Sequence, residues 1–298
     1  MKHPNFMCLG SPKCGTTTLY DILKQHDDVY LTTFKEPHFF DIKTNYDKGY
    51  KWYINEYYKG AKDHKIVGEF TPSYLVMANV PERISQDIGT DIKFIVILRN
   101  PVDRAYSQYL HSQRDLLEDL SFEESLEVEN MRLEKYVKNE DDVSYVRHSY
   151  IKGGLYYELL QNFFKVFDKS QFKVIIFEDE FMNNRSKLVA DILSFLGLKE
   201  KEMKINIKSN QAAVTRYPLI KRILKKDSKI RKVMKVLIHS KELRSKLSYF
   251  LQKISNKKAD KTDLSLDVRK RVMNKYFEND IMQLEKLIDR DLSIWYKK

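Results

Sequence analysis

The sequence predicts an α/β protein, with a central parallel sheet flanked by helices in three layers and a helical region at the C-terminal end. Three observations carry that expectation. Short runs of β-branched and aromatic residues recur along the first two thirds of the 298 residues. Segments with apolar residues at helical spacing stand between them, and 9 glycines with 7 prolines mark no domain boundary before about residue 205. Strands that alternate with helices form parallel sheets covered on both faces, because the crossover helices must lie on them. The chain is therefore expected to form one domain over 1–298, an α/β core (1–205) with a helical extension (206–298).

Phe6–Leu9 opens the core as an apolar strand, and Thr17–Gln25 follows it as a helix. Tyr50–Tyr58 carries apolar residues at mixed helical spacing, and Lys65–Gly68 is the second strand. Pro81–Ile88 is a helix that starts with proline in its first turn, where the missing N–H has no helical partner to lose. The third strand, Lys93–Leu98, leads into helices over Asp103–Leu117 and Phe122–Val137. Leu155–Phe167 precedes the fourth strand, Phe172–Phe177, and Lys187–Leu196 stops at Gly197, a C-cap signal. A basic helix is expected over Arg216–Ile254. Leu266–Leu287 then places Val268, Val272, Tyr276, Ile281, Leu284 and Leu287 on one stripe.

Composition narrows the function classes. Hydrophobic content of 42% with 12% aromatic residues excludes a disordered chain. No apolar run approaches the roughly 18 residues of a membrane span. Met1–Asn5 leads straight into the first strand, leaving no room for a signal peptide. The two cysteines, Cys8 and Cys14, make no disulfide framework, and no CxxC or HxxxH spacing points to zinc, so no metal is expected. A cytoplasmic protein of a reducing compartment is the expectation.

The net charge of +11 sits in one segment: 216–258 holds 15 of the 53 Lys and Arg but 2 of the 42 Asp and Glu. Leu219, Ile223, Leu224, Ile230, Val233, Met234 and Leu237 recur there at helical spacing, making a basic amphipathic helix. Such a helix lies peripherally on the anionic inner surface of a membrane, covers the core with its charge turned to an acidic acceptor, or packs with a solvated basic face. The segment lacks the aromatic interleaving of single-strand binders, so nucleic acid is not an expected partner.

The chemistry starts at "FMCLGSPKCGTTTLYDIL", Phe6–Leu23. Strand, glycine-bounded loop and helix form a phosphate-binding arrangement, since the N–H groups opening a helix attract anions. Gly10 and Gly15 have the spacing of a nucleotide-binding P-loop, but Thr16 stands where the lysine directly after the second glycine belongs. The lysine is Lys13, inside the loop, so its ammonium approaches the phosphate chain from another side. An ordinary strand–helix turn capped by Thr16 is the plain alternative.

"SPKCGTTTL" resembles the 5′-phosphosulfate loop of sulfotransferases that use 3′-phosphoadenylyl sulfate (PAPS), whose usual form is P-K-[ST]-G-T-T-x-L; Cys14 departs from it. The resemblance implies donor binding by Lys13, Cys14, Gly15, Thr16, Thr17 and Thr18 on a P-loop-like fold. "IVILRNPVDRAYSQYLH" resembles the family's 3′-phosphate site, with Arg99 and Ser107 eight residues apart. A guanidinium suits a terminal phosphate because it can bind two oxygens at once, and a hydroxyl adds a directed donor. "KEPHFFD" resembles a segment of the heparan-sulfate branch, which implies Glu36 as general base with His38 and Asp41 near the acceptor. "GYKWY" and "GEFTPSYL" continue the resemblance, except that Phe70 stands where that branch often has lysine. The stretch from Leu264 to Tyr296 resembles the C-terminal helix and tail of bacterial members. "SNQAAVTRYP" falls where relatives close a loop over the nucleotide, making Arg216 a phosphate-contact candidate.

The resemblance implies sulfuryl transfer from PAPS to a hydroxyl or amine of a glycan, lipid or small-molecule acceptor. Glu36 would take the acceptor proton and Lys13 would neutralise the leaving phosphate, without a metal. His111, one helical turn after Ser107, joins His38 as a further catalytic candidate. A nucleotide kinase or NTPase would explain the loop but not its lysine; a nucleic-acid-binding protein would explain only the basic segment.

Overall fold

The computed structural model describes residues 2–207, 213–215, 256–258 and 264–296. Five parallel strands form the central sheet: β1 (Phe6–Gly10), β2 (Val29–Leu31), β3 (Ile66–Phe70), β4 (Lys93–Leu98) and β5 (Phe172–Ile176), in the order β2-β3-β1-β4-β5. Every pairing is parallel, with Phe6 opposite Gly68 on one side and Lys93 on the other. Four of the strands are those expected. The sequence reading missed β2, whose three residues between Asp27-Asp28 and Thr32-Thr33 are too short to show a period.

Alternation along the strands divides the core. Met7, Leu9, Phe94, Val96 and Leu98 point to one cluster, and Phe6, Cys8, Ile95 and Ile97 point to the other. The second cluster is closed by α1 (Thr16–Leu23) and α10 (Arg185–Leu196), which Gly197 ends in the left-handed conformation at φ 73°. The first is covered by α2 (Lys43–Tyr46), α3 (Tyr50–Tyr57), α4 (Val80–Asp87), α5 (Pro101–Arg114) and α9 (Tyr156–Phe164). Fully burying a side chain of this size stabilises the fold by about 1.5–3 kcal/mol relative to leaving it exposed, which makes the two clusters the main hold on the three layers.

The expected helix over Phe122–Val137 is two, α6 (Phe122–Glu127) and α7 (Glu129–Lys138). Val128 leaves helical geometry between them at φ −92°, ψ 0°, and α8 (Asp142–His148) follows. The C-terminal stripe is interrupted too: α11 (Leu266–Val272), a π turn (Met273–Phe277) and α12 (Glu278–Ile288). These elements dock on the core. Asp280 accepts from the Tyr157 N–H at 3.1 Å, and Arg269 pairs with Asp103 at 2.5 Å. The Trp295 indole donates to Glu178 at 2.9 Å while its carbonyl accepts from Asn100 at 2.7 Å, so the tail braces the turn after β4.

Within 206–298 the described residues also include an antiparallel ladder absent from the sequence reading, β6 (Ala213–Thr215) with β7 (Asn256–Lys258). The expected basic helix over 216–254 and the candidate Arg216 lie outside the described residues. Among the described residues, no helix is long and apolar enough to cross a membrane.

Candidate functional site

All β1–β5 strands are parallel, so their C-terminal ends share one edge. The chain leaves β1 to reach β2 beyond β3, and crosses back over β1 to enter β4. A crevice at such a switch of direction is where open α/β sheets bind ligands. Lys13 follows β1, Glu36 to Asp41 follow β2, Ser73 follows β3 and Arg99 follows β4. The fold therefore hangs the three sequence motifs on one edge.

Two glycines shape the first loop. At Gly10 (φ 142°) a Cβ would stand 2.5 Å from the Pro72 carbonyl oxygen, and Gly15 adopts φ 85° as the N-cap of α1. No side chain caps that helix, contrary to the plain reading of a turn capped by Thr16, so its first-turn N–H groups face the loop. Lys13 itself is left-handed at φ 71°, a conformation that a non-glycine residue keeps only when its surroundings impose it. Cys14 is fully buried, its Sγ 3.6 Å from the Pro12 carbonyl, and burial pushes the thiol up to about 12, so it contributes backbone rather than a nucleophile.

Arg99 joins the second motif to the first: its Nη1 donates to the Lys13 carbonyl at 3.0 Å. The guanidinium stands 5.3 Å above the Phe177 ring, and its Nε is buried without a partner among the described residues. Such an orphan donor fits a missing anion. Ser107 lies half-buried two turns into α5.

The neighbourhood of Lys13 is strongly cationic. Burial, then the charges of Arg114 and Arg147, bring its ammonium down to about 8. His111 Nδ1 accepts from Arg147 Nη1 at 3.3 Å, and its Nε2 lies 3.4 Å from Asp115, which also pairs with Arg147 at 3.0 Å. Burial and the Lys13 and Arg114 charges press His111 down to about 3, which keeps it a neutral imidazole. Arg114, Asp115 and Arg147 were not singled out by sequence. They come from the end of α5 and from α8, and no local pattern links them.

The third motif makes an acidic counterpart. Glu36 (φ 65°) and His38 (φ 53°) are both left-handed. Glu36, 39% exposed, pairs with Lys35 and has Oε2 3.7 Å from His38 Nε2. The other ring nitrogen of His38 lies 2.8 Å from Asp41 Oδ2, an oxygen that also accepts from Ser73 Oγ at 2.5 Å. Asp41 is fully buried, and its Oδ1 has no partner among the described residues. Burial opposes a charge on His38, but the Asp41 hydrogen bond and the Asp41, Glu36 and Glu69 charges outweigh it and raise the pKa.

Glu69, inside "GEFTPSYL", is a residue to which sequence reasoning assigns no role. It is fully buried in β3 and accepts from Tyr53, from Tyr74 at 3.0 Å and from Thr71 at 2.7 Å; burial raises it to about 7 against these donors. A carboxylate inside an apolar strand was the available signal. Phe70, the departure from the heparan-sulfate pattern, faces the other way, edge-on to Phe6 and Tyr20.

The family model described as a sulfotransferase domain matches residues 3–263. The chain is 32% identical over 198 residues to heparan sulfate glucosamine 3-O-sulfotransferase 6 of Mus musculus, covering 66% of this chain and 53% of that one. It is 42% identical over 106 residues to heparan sulfate glucosamine 3-O-sulfotransferase 3B1 of Homo sapiens, covering 36% and 26%. The chain thus spans about half the length, or less, of these curated relatives. A crystal structure of a sulfotransferase from Alicyclobacillus acidocaldarius superimposes with a TM-score of 0.72 at 27% identity, covering 100% of both chains.

Proposed function

The chain belongs to the sulfotransferase family, and from that premise we propose that it moves the sulfuryl group of PAPS to a hydroxyl or amine of a glycan-bearing acceptor. The observation that carries the donor assignment is the Arg99–Lys13 junction, with its buried Nε unpartnered among the described residues. The donor arrives with its sulfuryl group already activated, so the protein's task is positioning and charge stabilisation. Arg99 and Ser107 hold the 3′-phosphate, and the loop from Lys13 to Thr18 holds the phosphosulfate. Glu36 takes the proton as the acceptor oxygen or nitrogen forms its bond to sulfur. Lys13 stabilises the charge left on the 5′-phosphate oxygen as its bond to sulfur breaks. His38 and Asp41 orient the acceptor and the base.

A glycan acceptor is supported by the heparan sulfate named for two relatives. The whole chain is read as one sulfotransferase domain. Thermal unfolding with nucleotides tests the donor assignment, because a ligand that binds only the folded state raises its apparent stability. Adenosine 3′,5′-bisphosphate and PAPS are expected to raise Tm well beyond AMP; equal shifts with AMP, which lacks the 3′-phosphate, contradict it.

A further inference from the structure

We propose that Glu69 is a positioning residue for the acceptor side: acting through Tyr74 it fixes the backbone that aims Glu36 and His38. Only the role of Glu36 as base rests on the function proposed above; the contacts do not.

The Tyr74 hydroxyl has one proton and two lone pairs. Its oxygen accepts from the backbone N–H of Phe39 at 3.2 Å and of Phe40 at 3.3 Å, so its own proton goes to Glu69 Oε1 at 3.0 Å. The Tyr53 hydroxyl, which lies 2.8 Å from the Tyr58 hydroxyl, donates to the same oxygen, and Thr71 donates to Oε2 at 2.7 Å. Three donors converge on one carboxyl group. An anion accepts them all, whereas a carboxamide or a carboxylic acid brings a proton of its own into the array.

Phe39 and Phe40 are fully buried, and Phe39 stacks on Tyr53 with ring centroids 4.3 Å apart. Their peptide groups have no water to turn to, so losing the Tyr74 acceptor strands two buried donors. Glu36 and His38 stand on the same run of chain in left-handed conformations, which persist only where the surroundings over-determine them. His38 thus adjoins the anchored Phe39, and Glu36 stands three residues before it.

The loop carries its own reporter. Glu69 is faced by Tyr53 and Tyr58 from α3 and its end, by Thr71 and Tyr74 from the segment after β3, and by Asp41 from the loop after β2. His38 is faced by Glu36, Asp41, Ser73 and Glu69, and its 2.8 Å contact with Asp41 is the main cause that raises its pKa. Loosening the loop weakens that contact, an effect that damage elsewhere in the core does not produce.

The test uses the full chain as wild type, Glu69→Gln and Tyr74→Phe, read by amide hydrogen exchange at pH 8 and by NMR titration of the His38 imidazole. Phe39 and Phe40 amides are expected to exchange roughly tenfold faster in both variants, while Val96 and Ile97 in β4 keep their wild-type rates. The His38 midpoint is expected to fall in both variants, because each frees the loop that holds His38 against Asp41. Wild-type exchange at Phe39 and Phe40, an acceleration that includes Val96, or an unmoved His38 midpoint in Glu69→Gln overturns the proposal. Should Glu69→Gln fail to fold, exchange in Tyr74→Phe decides alone. Neither readout needs an acceptor, so wild-type protein that transfers no sulfuryl group refutes the proposed function and leaves this proposal standing.

Discussion

The two halves of the crevice treat protons in opposite ways. After β1 and β4, burial and neighbouring cations strip protons: Lys13 falls to about 8 and His111 to about 3. After β2 and β3, burial and neighbouring carboxylates retain them: Glu69 rises to about 7 and His38 is raised above its ordinary value. Burial acts on both halves, but it lowers bases and raises acids, so the sign of the surrounding charge decides each outcome for the histidines. The cationic half suits a phosphate-bearing donor, and the acidic half suits the removal of an acceptor proton.

The largest break in that division is expected from Glu36→Gln, which keeps the shape and removes the base. Sulfuryl transfer from labelled PAPS should fall by roughly two to four orders of magnitude, as for a lost general base, while nucleotide affinity stays put. Rates near wild type would move the base to His38 or to neutral His111. Lys13→Ala comes next: losing a preorganised charge at the leaving oxygen should lower turnover about 10²–10³-fold. Unlike Glu36→Gln it should also weaken nucleotide binding. An effect on turnover alone would remove Lys13 from the donor half.

The residues after β1 and β4 stood out in the sequence because they form short, contiguous runs. "SPKCGTTTL" is one loop opening onto α1, and Arg99 stands two residues before α5, on which Ser107 lies, so spacing along the chain stays close to spacing in space. The acceptor half was half legible. Glu36, His38 and Asp41 stood in one motif, but Ser73, Tyr74 and Glu69 reach them from β3 and the turn after it, 32 to 35 residues away for the contacts of Ser73 and Tyr74 with the loop. No periodicity encodes such a meeting. The fold followed the same rule: four strands of five or more residues showed themselves, whereas β2 and the break at Val128 depend on tertiary pairing and packing.

Two smaller effects sharpen the contrast through pH. A bound anion favours the charged ammonium, so nucleotide binding should draw a proton onto Lys13. Affinity for adenosine 3′,5′-bisphosphate should then decline as pH rises through about 8, and this pH step should vanish in Lys13→Ala. A step retained in that variant would assign it elsewhere. Glu69 gives the smallest signal. Its folded pKa of about 7 lies above the ordinary 4.5, so the stability it contributes is complete below 4.5 and is lost as pH rises through 7. The Tm of wild type relative to Glu69→Gln should therefore drop by a few degrees at most between pH 5 and 8; a constant gap would mean that Glu69 does not titrate there.

The division of labour itself is tested most directly by calorimetric titration of adenosine 3′,5′-bisphosphate into wild type, Arg99→Lys and Glu36→Gln. A lysine cannot reproduce the two-pronged guanidinium contact, so Arg99→Lys should bind at least tenfold more weakly, about 1.4 kcal/mol, while Glu36→Gln should match wild type within about twofold. Unchanged binding in Arg99→Lys, or an equal loss in both variants, would contradict a donor half separate from the acceptor half.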